Sequence, residues 1–465
     1  MKKRTGLLLL TATLTISVVG FAGTRAAAPM ARPALGFVAK VVCSNVFVGG
    51  AAPEQALSDL PDEPIARLVR TEVDEARRRV TASVPLVAER SASYRSGFGC
   101  VLEPAGRTLV AHGSAAAPAD AARDSMMWPE GERVARAARG IDTTRLDAAI
   151  AEAFAEPDPA LPRRTRAIVV VHGGRIVGER YADGYGAAHR FTGWSMTKSV
   201  TSALVGVLTA DGRMDLDADA LRPEWRGAGD PRADITLDDL LRMSSGLGFD
   251  ESYTPSGGAT RMLFDAADAA AVAAASPLVH APATRWSYSS GTTNIVSSLI
   301  RAALGSDRAY HEFPRRALFD RIGMRSAVLE PDPSGTFVGS SFMYATARDW
   351  ARFGLLYLQD GLWAGERVLP EGWVEYSTRP TPGAPLGQYG AHWWLNAGEA
   401  GDSTRRIWPD LPRDIYWASG FQGQYIVVVP SHDLVVVRLG VTADDRAWNL
   451  GGFLRAVIAS LGTSG

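Results

Sequence analysis

In Gly193-Trp194-Ser195-Met196-Thr197-Lys198-Ser199 a serine and a lysine stand three residues apart, and the lysine is out of character for the chain. Only Lys2, Lys3 and Lys40 accompany Lys198; apart from seven histidines, every other basic residue among the 465 is an arginine. The two cations differ chiefly in that arginine stays charged, whereas a buried lysine can be brought toward neutrality and act as a base. Val200, Leu204, Val207 and Leu208 recur at helical spacing, so a helix over about 195–210 is expected, opening at the glycine and tryptophan. Residues three apart share a helix face, so hydroxyl and amine can be presented together. The helix dipole at that end favours an alkoxide and disfavours an ammonium. A lysine so placed can accept the serine proton, which turns a weak nucleophile into an active one. Ser-x-x-Lys also arises by chance, because serine is common, so the wider chain has to carry the rest.

About ninety residues downstream, before a helical stretch over Thr293–Leu304, stands Trp286-Ser287-Tyr288-Ser289-Ser290-Gly291. Tyr288 can supply a phenol that relays a proton to a leaving group, with Ser290 as its hydrogen-bonding neighbour. Upstream, Ala167–His172 and Arg175–Arg180 flank Gly173-Gly174, a two-residue hairpin signal. A second hairpin is expected from Gln424–Val429 and Leu434–Leu439 around Pro430-Ser431-His432-Asp433, followed by a helix from about Trp448 to Leu461. Thr144-Arg145-Leu146-Asp147 resembles a capping box opening a helix through Phe154. Residues 211–345 read as helices and loops. The pattern implies an α+β fold: an antiparallel sheet split in sequence, flanked by helices, with an inserted all-helical domain over about 211–345.

A 46% apolar composition, 21% charged residues and a net charge of −1 describe an ordinary globular protein. That balance excludes a nucleic-acid or anionic-surface partner driven by charge. Lys2-Lys3-Arg4, the uncharged run Leu7–Ala22 and the small residues to Ala28 form a secretory signal, residues 1–28, set apart from the fold. Anchoring to a membrane is expected only if this segment stays uncleaved. Residues 29–140 form an accessory N-terminal region, whose stretch Gly113–Gly140 is expected to wrap the surface, and 141–465 form the main domain. Cys43 and Cys100, the two cysteines of an exported chain, are expected to form one disulfide. The protein is therefore expected to be periplasmic or secreted.

Ser195-x-x-Lys198 followed by Tyr288-x-Ser290 resembles the serine β-lactamase and penicillin-binding-protein superfamily. The resemblance is greatest to the branch of class C β-lactamases, D-alanyl-D-alanine carboxypeptidases and 6-aminohexanoate-dimer hydrolases. It spans roughly 160–445 and includes Ile235–Leu241 with Ser244-Ser245-Gly246-Leu247, Ala347–Gly354, and Tyr389-Gly390-Ala391-His392-Trp393-Trp394. The resemblance implies that Ser195 is the nucleophile, Lys198 its base and Tyr288 a second acid/base. The reaction would pass through an acyl-enzyme that water cleaves. The N–H of Ser195 and one from the C-terminal strand would form the oxyanion hole. Two departures stand out. The middle motif is Tyr-x-Ser where class C β-lactamases carry Tyr-x-Asn. The third motif, a Lys-Thr-Gly or His-x-Gly in the family, corresponds to Trp417–Gln424, which has no cation. In that stretch Gly420 and Gln424 are supporting site candidates. The missing cation argues against the carboxylate-bearing β-lactams and peptidoglycan stems.

The resulting expectation is an exported serine hydrolase of small amides or esters, similar to 6-aminohexanoate-dimer hydrolase. A β-lactamase or D,D-peptidase, and a catalytically silent cell-envelope binding module, are the competing readings. No cofactor is implied. The seven histidines include no His-x-x-x-His pair, and no cysteine cluster suggests a metal. No Gly-x-Ser-x-Gly elbow is present.

Overall fold

The computed structural model describes residues 28–61, 69–103, 125–134 and 140–462. The expected signal segment thus lies outside the described residues, apart from Ala28. So does most of the stretch 113–140, of which only 125–134 and Gly140 are described.

Gly173 and Gly174 have φ of 58° and 68°, the two left-handed positions that a tight hairpin turn requires. They join the strands Thr165–His172 and Arg175–Tyr181. These two strands complete a six-stranded antiparallel sheet with Trp394–Leu395, Tyr416–Gly420, Gln424–Val429 and Leu434–Gly440. Its middle strands are unbroken runs of valine rather than an apolar–polar alternation, because helices cover both faces. Val428, Val435 and Val437 belong to one core with helices Thr197–Ala210 and Ala347–Leu358. Val427, Val429 and Val436 belong to the other, with helices Thr143–Phe154 and Leu450–Ser460. The architecture is the α+β arrangement expected from the sequence.

Helix Thr143–Phe154 corrects the expected cap. Asp142, not Thr144, is the N-cap, and its carboxylate accepts the Arg145 N–H. An aspartate two residues earlier satisfies the free amide of the first turn and leaves Thr144 inside the helix.

Between Ala210 and residue 345 lie the helices Leu237–Leu241, Gly258–Phe264, Ala269–Ala274, Ser290–Leu304 and Asp307–Pro314. The segment is not wholly helical. Met343–Thr346 pairs with Val328–Leu329 on one side and with Arg190–Thr192 on the other in a small three-stranded sheet. Strands of two to four residues are too short to show a period in sequence.

The N-terminal region holds a helix over Ala28–Gly49 and a four-stranded sheet, Arg70–Asp74, Arg79–Val84, Ala88–Arg95 and Gly99–Leu102. The helix is long and apolar enough to cross a membrane, yet most of its apolar window is buried inside the fold. Leu35, Val38, Ala39 and Val42 share a core with Val200 and Leu204 of the main domain. Cys43 and Cys100 are joined in a disulfide with a sequence separation of 57. Closing a loop of that size contributes about 4 kcal/mol by chain entropy. Beside the disulfide, Lys40 forms an ion pair with Glu330, both buried. Glu330 also accepts the Ser44 hydroxyl at 2.9 Å and the Cys100 N–H at 2.6 Å.

Burial raises the Glu330 carboxyl above its ordinary value, and the Lys40 charge opposes that rise. Lys40→Met keeps the stem packed but leaves a buried carboxylate unpaired, so the unfolding free energy should fall by about 3–5 kcal/mol. A carboxyl whose folded pKa is raised loses stability as pH rises, so the deficit should deepen from about pH 5 to pH 8. Urea denaturation of the oxidised protein at the two pH values checks both statements.

Candidate active site

The turn carrying Ser195 is a short 3-10 segment, Trp194–Met196, that runs directly into helix Thr197–Ala210. The Thr197 hydroxyl donates to the Trp194 carbonyl at 2.6 Å and closes the first turn. One turn on, Lys198 is buried, 1% exposed, with Ser195 half-buried above it. The Lys198 Nζ donates to Ser195 Oγ at 2.9 Å, Ser290 Oγ at 3.0 Å and the Ser340 carbonyl at 3.0 Å. Burial lowers its pKa to about 8, against the opposing charge of Glu251.

Tyr288 stands on the loop before helix Ser290–Leu304, with its ring centroid 4.9 Å from Lys198 Nζ. Burial holds its phenol well above the ordinary value, and a hydrogen bond with the Ser195 side chain works the other way. Its ring begins an aromatic column. Trp394 stacks on it at 5.6 Å and Trp417 on Trp394 at 6.3 Å, while Trp408 lies tilted against Trp417 at 4.5 Å. Trp393, the neighbour of Trp394, points the other way into the core and is fully buried.

Ser290 opens its helix and is held from outside it. Glu251 accepts the Ser290 N–H at 2.7 Å and its hydroxyl at 2.6 Å. The Tyr253 hydroxyl lies 2.9 Å from Ser290 Oγ and donates to Glu251 at 2.8 Å. Ser290 therefore stands between the amine and a carboxylate. Glu251, Tyr253 and the Ser340 carbonyl complete the site and were not identified from sequence. They lie on loops with no period, and the contribution of Ser340 is a backbone atom.

Strand Tyr416–Gly420 forms the facing wall. Gly420 approaches the serine turn so closely that a Cβ there would lie 2.1 Å from the Gly193 carbonyl. Gln424, a candidate from sequence, is not brought to the serine hydroxyl. Its amide nitrogen donates to the carbonyls of Phe421, Gln422 and Gly440, and its oxygen accepts the Gly440 N–H. It shapes the turn at the end of the strand. Arg438, on a nearby strand, does not replace the missing cation: it is fully buried, and its guanidinium donates to the carbonyls of Gln422, Gly423 and Arg163 and to the hydroxyls of Thr165 and Thr442.

A buried amine near neutrality, in contact with a serine hydroxyl and flanked by a phenol, is suited to acyl transfer. The chain belongs to the Beta-lactamase family, whose profile matches residues 151–446. The 6-aminohexanoate-dimer hydrolase of Paenarthrobacter ureafaciens is 25% identical over 311 residues, 61% of this chain and 75% of that one. Among solved structures, a family VIII carboxylesterase superposes with a TM-score of 0.55 at 17% identity, covering 69% of this chain and 96% of that one. A D-stereospecific amidohydrolase from Streptomyces sp. gives a TM-score of 0.51 at 18% identity, covering 68% and 99%. These likenesses establish the β-lactamase/transpeptidase fold, shared among hydrolases of different substrates.

With only four lysines in the chain, labelling them with nitrogen-15 should give resolvable signals. Lys198 should titrate near pH 8. Because the Glu251 charge raises that value, Glu251→Gln should move the midpoint lower; a midpoint unchanged, or near the ordinary lysine value in the parent protein, contradicts the reading.

Proposed function

We propose that the protein is an exported serine hydrolase that cleaves amide or ester bonds through an acyl-enzyme on Ser195. The observation that carries the reading is the buried Lys198 amine, 2.9 Å from the Ser195 hydroxyl, with a pKa near 8. In its neutral form that amine has a lone pair, so the contact reverses and the serine hydroxyl donates to it. Ser195 Oγ then attacks the substrate carbonyl while Lys198 takes the proton. The oxyanion is received by the Ser195 N–H and one from the end of strand Tyr416–Gly420. Tyr288 passes a proton to the leaving amine or alcohol, and the carbonyl reforms as that bond breaks. Water, deprotonated by the same groups, then attacks the acyl carbon; the bond to Ser195 Oγ breaks, Oγ takes back that proton and the acid is released.

The substrate is proposed to be a small amide or ester without the carboxylate of a β-lactam. The strand facing Ser195 carries no charged side chain, and Glu251 places negative charge behind Ser290. Export is supported by the basic, then apolar, N-terminal segment and by the Cys43–Cys100 disulfide.

A fluorophosphonate probe followed by peptide mapping should place a single adduct on Ser195, lost in Ser195→Ala. No adduct on the wild-type protein removes the hydrolase reading. Lys198→Arg keeps the charge but cannot accept the proton, so acylation should fall by about 10²–10⁴-fold. The active form is the free amine. The labelling rate should therefore rise as pH passes about 8 and then level. Nitrocefin should be turned over poorly beside a short-chain p-nitrophenyl ester.

A further inference from the structure

Trp194, the residue before Ser195, has φ of 45°, a left-handed conformation that bulky side chains avoid and that persists only where its surroundings impose it. Its indole is 6% exposed and packed by three rings from distant parts of the chain. Phe37 lies nearly parallel at 6.5 Å, Phe342 at 6.3 Å, and Phe421 edge-on at 5.6 Å. Phe421 follows Gly420, whose backbone abuts Gly193. Phe37 belongs to helix Ala28–Gly49, which lies wholly outside the residues matched by the family profile.

The same helix reaches the lysine side of the site. Lys40 Nζ sits 4.2 Å above the ring of Phe342, whose carbonyl accepts the Glu330 N–H at 2.8 Å. Two residues before Phe342, the Ser340 carbonyl accepts from Lys198. The helix has little freedom to slide. A Cβ on Gly36 would lie 1.8 Å from the Phe264 carbonyl, Phe37 meets the Phe264 ring at 5.1 Å, and Cys43 is bonded to Cys100.

We propose that helix Ala28–Gly49 is part of the acylation machinery, with Phe37 a positioning residue that acts on Ser195 through Trp194. The proposal rests on Ser195 being the nucleophile. Without the Phe37 ring, Trp194 can relax from its left-handed conformation, and the adjoining Ser195 hydroxyl turns away from Lys198. A displacement on the order of 1 Å between reacting groups costs roughly 100-fold in rate. Phe37 acts on the position of the nucleophile rather than on bound substrate, so the loss falls on kcat rather than KM.

The test uses the full, oxidised protein with fluorophosphonate labelling and p-nitrophenyl ester turnover. Phe37→Ala should lower the labelling rate and kcat about 10- to 100-fold while KM stays within about twofold. Phe37→Tyr, which restores a ring, should recover most of the rate. Ile150→Ala, a truncation in the core on the opposite face of the sheet, should lower the thermal midpoint while leaving kcat intact, which separates positioning from lost stability. A labelled wild type with an equally fast Phe37→Ala overturns this proposal alone, as does an Ile150→Ala variant that loses as much activity. A wild type that takes no label at Ser195 overturns the nucleophile assignment and this proposal with it.

Discussion

The site depends on one constraint: an amine is held away from water with hydrogen-bond acceptors but no direct counter-ion. The chain supplies its own contrast. Lys40 and Lys198 are both buried, and both lie near a carboxylate. Lys40 touches Glu330 directly, and the carboxylate opposes, without cancelling, the lowering of its pKa that burial causes. Lys198 meets two hydroxyls and a carbonyl, and Glu251 stands one hydroxyl further away, behind Ser290. Separating the carboxylate from the amine weakens the Coulomb attraction that would keep the lysine protonated. Inserting a serine between them retains a continuous hydrogen-bonded chain while letting desolvation pull the pKa down.

That requirement accounts for the split topology. Ser195 and Lys198 come from the helix that follows the first hairpin, Tyr288 and Ser290 from the inserted helices, and Gly420 from the strand beside the second hairpin. The site therefore lies where three separate parts of the chain meet. The close approach of Gly420 to Gly193 fixes the strand against the serine turn. The column from Tyr288 through Trp394 and Trp417 ties the phenol to that same strand and its neighbour. Packed aromatic faces of this kind hold orientation without adding charge near the amine.

How much of this was legible in the sequence depends on what each residue contributes. The cluster of Ser195, Lys198, Tyr288 and Ser290 was readable because it is made by side chains and its spacings are local. The hairpin at Gly173-Gly174 and the valine strands were readable for a similar reason: a turn and a buried strand each impose a short-range pattern. Glu251 and Tyr253 belong to an irregular loop, and only tertiary folding brings them to Ser290. Ser340 acts through its carbonyl, to which side-chain identity is blind. Spacing places Gln424 near the strand end but does not say which way an amide points; its partners are the turn's own carbonyls. Residues 29–140 looked accessory because helix Ala28–Gly49 has no motif, yet its apolar face completes the core around Val200 and Leu204.

The charge pattern around the serine also bears on what can bind there. Binding a carboxylate in a half-buried cleft requires a cation to offset its desolvation. The strand that would present one ends in Trp417-Ala418-Ser419-Gly420, and the nearby Arg438 is committed to backbone carbonyls and threonine hydroxyls. Glu251, whose carboxylate lies next to these groups, would repel a second. A second negative charge placed there thus meets an uncompensated cost, whereas a neutral group does not. The carboxylate that opposes the lowering of the Lys198 pKa is therefore also the one that disfavours a second negative charge nearby, so both effects come from the same few side chains.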